Sequence, residues 1–242
     1  MNNLIEILLR WQIKIFGYHT DVRKMYNTVL LTKDHWRYQL YWWSENLKPG
    51  EIPAIKVIKT LIYGVKSSGN QAEKAIRMVV DLMSDLYPLA AEIVKNDVYV
   101  DDCISGEMME NARLKATDQL KVSLEKRTIT LKGLTFSGED PDITLSEDGK
   151  SVSTGGIKWF SKGDYLMLNV GDFNFSKKVS GRRVTESKGL PEKLTMTHCA
   201  SMIAQIFDPL GKTVPVTAGF KIDRSHLQRD LKGRGMIKYP II

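Results

Sequence analysis

The chain has 242 residues, 43% hydrophobic and 26% charged, so it can bury a core and is not disordered by composition. Its formal net charge of +7 and pI near 9.2 favour a polyanionic partner. No apolar run approaches the roughly 18–20 residues of a membrane span, the histidines (His19, His35, His198, His226) lack the paired spacing of a zinc site, and the two distant cysteines, Cys103 and Cys199, read as reduced intracellular thiols.

In chain order, Asn2-Asn3 can cap a helix whose face is Leu4, Ile7, Leu8 and Trp11. This apolar opening is short and interrupted by Glu6, so it is expected to be neither a secretory signal nor an anchor. Ile13, Ile15, Phe16 and Tyr18 suggest a strand running into Thr20-Asp21-Val22. From Asp34 to Trp43 the aromatics alternate, with Trp36, Tyr38, Leu40 and Trp42 on one side, which predicts a strand with one buried face. Ala54 to Tyr63 is β-branched and apolar and predicts the returning strand of a hairpin. Gly64 to Asn70 breaks the pattern. A helix is expected from about Asn70, with Ala72, Ala75, Ile76, Val79, Val80 and Met83 on its face, ending near Tyr87-Pro88. A short helix over Leu89 to Lys95 follows.

The stretch Asn96 to Glu107 reads as a strand, a two-carboxylate turn at Asp101-Asp102 and a second apolar step. Adjacent carboxylates at a tight turn repel, and a divalent cation relieves that; Mg²⁺ takes such hard oxygen ligands, usually one or two carboxylates with substrate phosphates. Taken alone, such a pair is more often a solvated acidic turn. Beyond it the pattern predicts a helix over Met109 to Glu125, a strand over Thr128 to Phe136 and an acidic surface turn or hairpin tip over Ser137 to Lys150. Strands are expected over Ser151 to Trp159 and Asp164 to Phe175. Ser176 to Lys193, with Lys177, Lys178, Arg182 and Arg183, reads as a basic mobile loop. A helix is expected over Thr197 to Phe207, and Val214 to Leu231 looks helical in its second half. The tail 232–242 has no clear pattern, and no internal repeat is present.

A strand ending at Asp21, an aromatic (Tyr26) five residues on, a Gly/Ser turn opening a helix and Tyr99-Val100-Asp101-Asp102 on a hairpin follow the order of the palm motifs of reverse transcriptases. The flanks resemble one group, the BEL/Pao long-terminal-repeat retrotransposons. The likeness is carried by Leu4 to Trp11, Thr20 to Tyr26, Trp36 to Trp42, Lys132 to Gly138, Ile157 to Phe160 and Ile206 to Val216, and covers roughly residues 2 to 228. It implies an α+β fold: a palm-like antiparallel sheet backed by helices, of the ferredoxin or RNA-recognition-motif kind, with a partial thumb and connection. The implied organisation is a palm with residual fingers strands (1–136), primer-grip and thumb-like strands with a basic loop (137–193) and a helical connection-like segment (194–242).

The resemblance also implies roles. Asp21, Asp101 and Asp102 would be catalytic and hold Mg²⁺, or Mn²⁺. Tyr26 would lie under the sugar of the incoming nucleotide, with Tyr63, Gly64, Lys66 and Ser68 forming the substrate turn. Lys158 and Trp159 would belong to the primer grip, and Lys121 or Lys132 could approach the pyrophosphate. On the residues alone, Tyr26 reads equally as a core aromatic, Gly64 to Gly69 as an ordinary strand-to-helix turn, Ile157 to Phe160 as a core strand and the lysines as solvated surface. Implied partners are an RNA or DNA template-primer and deoxynucleoside triphosphates, in an intracellular, membrane-free setting. The pattern sets no oligomeric state. The chain also departs from the family. Fingers strands are expected ahead of Leu4, the turn at Ser67-Ser68-Gly69 lacks a Pro, Gly155-Gly156 softens the primer-grip strand, and no RNase H, protease or integrase pattern follows. The expectation is a truncated RNA-directed DNA polymerase fragment, weak or inactive alone; the alternative is a non-catalytic nucleic-acid-binding remnant or domesticated fragment.

Overall fold

The computed structural model describes residues 2–45, 50, 52–168, 174–179, 182–188, 196–215 and 217–219, with the backbone alone for 174–179, 182–188 and 196–197. The chain divides into two units, Met1–Gly155 with Phe160–Tyr165, and Gly156–Trp159 with Leu166–Ile242. Its architecture is α+β, with antiparallel sheets and helices.

The first unit is built on β1 (Phe16–Val22), a strand that alternates so that Tyr18 and Val22 face one way and His19 and Asp21 the other. It sits in the sheet β4-β5-β1-β6, with β4 (Val98–Tyr99), β5 (Asp102–Glu107) and β6 (Leu131–Phe136), all neighbours antiparallel. Three helices supply the core against one face. In α4 (Ser68–Asp81) the 3–4 spacing buries Ala72, Ile76 and Val80; in α5 (Pro88–Asn96), Ala90, Ile93 and Val94; in α6 (Glu110–Glu125), Ala116, Leu120 and Leu124. With Tyr18, Val22, Val98 and Cys103 they form one cluster. Each fully buried Leu or Ile contributes about 1.5–3 kcal/mol.

α1 (Leu4–Gln12), capped by the Asn3 side chain accepting from the Ile5 N–H, buries the expected Leu4, Ile7, Leu8 and Trp11. It reaches the sheet because Gly17 and Gly106 face each other across β1 and β5: a Cβ on Gly17 would lie 2.8 Å from the Trp11 Nε1, and one on Gly106 2.8 Å from the Lys14 Cβ. Asp97 ties three elements together, accepting from Arg10 Nε at 3.1 Å and from Ser105 Oγ at 2.6 Å.

The aromatic hairpin differs from its expectation. Thr32 starts a helical turn, α3 (Lys33–Trp36), and Trp36 donates its indole N–H to the Leu31 carbonyl at 3.0 Å, which removes Asp34 to Trp36 from the alternation. The strands are only β2 (Leu40–Trp43) and β3 (Ala54–Val57), paired Leu40↔Val57 to Trp43↔Ala54. The expected buried face is exposed, with Leu40, Trp42 and Ile55 all more than half accessible. A two-stranded ribbon hides a face only when another layer covers it.

Other boundaries move for local reasons. α4 ends at Asp81 instead of near Tyr87, because Met83, Ser84 and Leu86 turn with bonds to the third residue back, ahead of the Pro88 that opens α5. The single strand expected over Ser151 to Trp159 is two, β7 (Val152–Thr154) and β8 (Ile157–Phe160), because Gly155 and Gly156 both take positive φ. Within Ser137 to Lys150, Asp148 accepts from the Lys150 and Ser151 N–H groups and closes an irregular turn. β9 (Tyr165–Leu168) covers part of the next expected strand.

In the second unit, the segment read as a mobile loop is an antiparallel hairpin of β10 (Asn174–Val179) and β11 (Arg182–Lys188), with Lys178↔Arg183 and Val179↔Arg182 in register. Ser180-Gly181, between the two runs in the sequence, is a hairpin signal that the basic composition masked. α7 (Met196–Gln205) ends two residues before the expected Phe207. Asp208 then closes a turn by accepting from the Lys212 and Thr213 N–H groups. The expected helix toward Leu231 lies mostly, and the tail 232–242 wholly, outside the described residues. Among the described residues no helix is long and apolar enough to cross a membrane.

Candidate functional site

The register of β1 and β5 sets Asp21 opposite Asp102. β4 and β5 pair through Tyr99↔Asp102, leaving Val100 and Asp101 as the two-residue tip. The tip is bound to β1 as well, since the Val22 N–H donates to the Asp101 carbonyl at 2.9 Å. Three acidic residues, the first 80 positions before the second, therefore stand at one end of the sheet. The turn carries strain: Val100 has φ 57°, a left-handed value that a β-branched residue rarely adopts.

Burial, and then the charges of Asp102 and Asp21, raise the Asp101 carboxyl above the ordinary carboxylate range, while Lys132 opposes the rise. Lys132 donates to Asp21 Oδ2 at 2.7 Å, and that hydrogen bond is the first cause of its own raised pKa. A register irregularity puts Lys132 there. Between Thr20↔Leu134 and Val22↔Leu131, two residues of β6, Lys132 and Gly133, face the single Asp21.

Asp102 turns away from the tip. Its Oδ1 lies 3.0 Å from His19 Nε2, and its Oδ2 accepts from the Gly155 N–H at 3.1 Å. His19 is 1% exposed and was not among the site residues expected from sequence. The signal was present: two residues before Asp21 on the same strand, it shares that side chain's face.

Tyr26 stands on a four-residue turn, α2 (Met25–Thr28), with its ring 4.4 Å from that of Tyr63. The pKa of its hydroxyl is raised by burial, then by Asp101 and Tyr63. Gly64 takes φ +86° in the turn before α4. Ser68 is buried as the first residue of α4, next to Gly69, where an added Cβ would lie 3.5 Å from the Tyr26 hydroxyl. Lys66 is exposed and forms no ion pair among the described residues, and Lys121 lies on the exposed side of α6. Lys158, half-buried, and Trp159, buried, stand on β8 in the second unit. A cavity of about 210 Å³ lies elsewhere, lined by Arg10, Lys14, Asp97, Ser105 and Glu107 toward the Glu107 end of β5. The carboxylates occupy the Asp102 end.

The donor chemistry fits a hard divalent ion such as Mg²⁺ or Mn²⁺. Asp21 and Asp101 provide the one or two carboxylates such an ion takes, and burial first, then the charges of Asp102 and Asp21, raises the Asp101 carboxyl, a cost to its ionised form that a bound cation would offset. As the side chains lie, no group of three or more acid, His or Cys side chains among the described residues is gathered on one point. Lys132 is the cation now beside Asp21. The arrangement can therefore bind a positively charged group, present it to an anionic ligand and place two aromatic rings beside it. No family model matches the chain, and no curated protein is recognisably similar to it.

Proposed function

We propose that the carboxylate end of this sheet is the nucleotidyl-transfer site of a reverse-transcriptase palm of the BEL/Pao kind. The observation that carries the proposal is the juxtaposition of Asp21 with the Asp101-Asp102 hairpin through the Asp21↔Asp102 register. Composition alone would not bring these groups together; the pairing of a central strand with a hairpin does.

In this reading Asp21 and Asp101 hold Mg²⁺ or Mn²⁺, and Asp102 completes the acidic set. A divalent ion bound there would acidify a primer 3′-hydroxyl and steady the leaving pyrophosphate. Tyr26, packed at a tilt against Tyr63, would support the sugar of a deoxynucleoside triphosphate and crowd a 2′-hydroxyl. Lys132 adds positive charge beside the same acids, which a triphosphate would meet. The test is primer extension on RNA and DNA templates with Mg²⁺ or Mn²⁺, comparing the chain with Asp101→Asn. Extension lost in the variant is expected; equal signal from both proteins removes the catalytic reading.

One observation favours a second reading, a nucleic-acid-binding remnant without chemistry. Lys132 already neutralises Asp21 at 2.7 Å, so the acidic end can be satisfied without a metal. The net charge of +7 and the Lys178↔Arg183 hairpin would then carry phosphate contacts. Affinity for a DNA duplex should fall steeply as salt rises. Salt-independent binding rejects this version.

A further inference from the structure

We infer that His19 is a positioning residue: its Nε2–H holds the Asp102 carboxylate and thereby anchors the strained turn that presents Asp101. The inference rests on the nucleotidyl-transfer reading and assigns a role to a side chain that reading does not use. His19 and Asp102 are diagonal neighbours, since Asp21 pairs with Asp102 and His19 with Ile104 two residues further along β5. Diagonal positions on one face of an antiparallel pair lie within reach of a long side chain. The contact is 3.0 Å, and the imidazole is 1% exposed.

The other ring nitrogen makes the case. Nδ1 is buried and has no hydrogen-bond partner among the described residues. An apolar side chain of this size would fill the space without orphaning a polar atom. Among the described residues the ring's single polar contact is therefore its bond to Asp102. An ionised carboxylate can only accept, so in this contact Nε2 carries a proton and donates. From the other side the Gly155 N–H holds Oδ2 at 3.1 Å. With one donor on each oxygen, Asp102 is fixed in rotation yet retains lone pairs for an ion. Asp102 directly follows the tip, so fixing it fixes the backbone on which Val100 sits at φ 57° and from which Asp101 projects.

The test uses the full chain with His19→Leu, which removes the donor, and His19→Gln, whose amide nitrogen can replace Nε2. Two readouts are taken: Mn²⁺ affinity from the electron paramagnetic resonance of free Mn²⁺, and the split of kcat and KM in primer extension. His19→Leu should weaken Mn²⁺ binding and lower kcat about 10- to 100-fold, the usual loss when a support behind a metal ligand is removed. KM for template-primer should change little, and His19→Gln should restore most of the loss. Should His19→Leu fail to melt cooperatively, nitrogen-15 NMR of the unmutated chain decides: a slowly exchanging Nε2–H supports the inference, and an Nε2 that carries no proton, or one that exchanges rapidly with water, overturns it. If the unmutated chain binds Mn²⁺ and extends primers while His19→Leu matches it, the positioning role alone is wrong. If the unmutated chain does neither, the polymerase reading fails and takes this role with it.

Discussion

Asp101 is the most exposed to argument of the three acids, because burial and two like charges act on it together. A carboxyl whose pKa is raised on folding binds its proton more tightly in the native state. The penalty for ionising it is therefore fully present at neutral pH and vanishes as the pH falls below the unfolded carboxylate pKa. Asp101→Asn should raise the urea midpoint at pH 7 without divalent ion, and the gain should disappear near pH 3. Millimolar Mg²⁺ should raise the midpoint of the unmutated chain and leave that of Asp101→Asn nearly unchanged. Val100 gives a second test. A left-handed non-glycine residue costs about 1–3 kcal/mol, and Val100 is only partly buried against the core. Val100→Ala loses packing and keeps the strain, whereas Val100→Gly loses packing and removes it. Denaturant titration should find the glycine variant about 1 kcal/mol more stable than the alanine variant, the reverse of an ordinary strand position.

Among the elements, those with unbroken periodicity were legible. The 3–4 spacing of Ala72, Ile76 and Val80 marks α4, and the apolar step around Asp101-Asp102 marks the β4–β5 hairpin. Errors arose where a short-range hydrogen bond competes with pattern. Thr32 and the Trp36 indole pull three residues of an alternating run into α3, and two glycines divide β7 from β8. The approach of Lys132 to Asp21 was beyond reading, because it depends on one extra residue in β6 opposite β1. Gly155 shows how a local turn reaches the site. With φ +51°, and Leu4 Cδ1 2.7 Å from where a Cβ would stand, it forms a left-handed corner against α1 while donating to Asp102. Gly155→Ala should lower stability by about 1–2 kcal/mol, less than the sum of strain and clash because the end of Leu4 can shift. Chemical denaturation checks this, and a loss above that range would mean that α1 itself has been dislodged.

For the whole molecule, the carboxylate end of the four-stranded sheet draws on elements spread over more than a hundred residues, so its assembly reports the fold of the first unit. The candidate acids were named in sequence only through the resemblance of their motif order to a reverse-transcriptase palm, since adjacent carboxylates alone read as a solvated turn; the contact of His19 with Asp102 was not, because a lone histidine carries no motif. The β2–β3 ribbon has a consequence of a different kind. Leu40, Trp42, Ile55 and Val57 fall on one side of it by register, and the first three are largely open to water. A wet apolar ribbon whose strands pair with no third strand among the described residues is a template for sticking to its own kind. Light scattering should rise with protein concentration, and Trp42→Lys paired with Ile55→Thr should suppress it without moving the melting temperature. If those two changes left the scattering untouched, colloidal behaviour would have to originate on another surface.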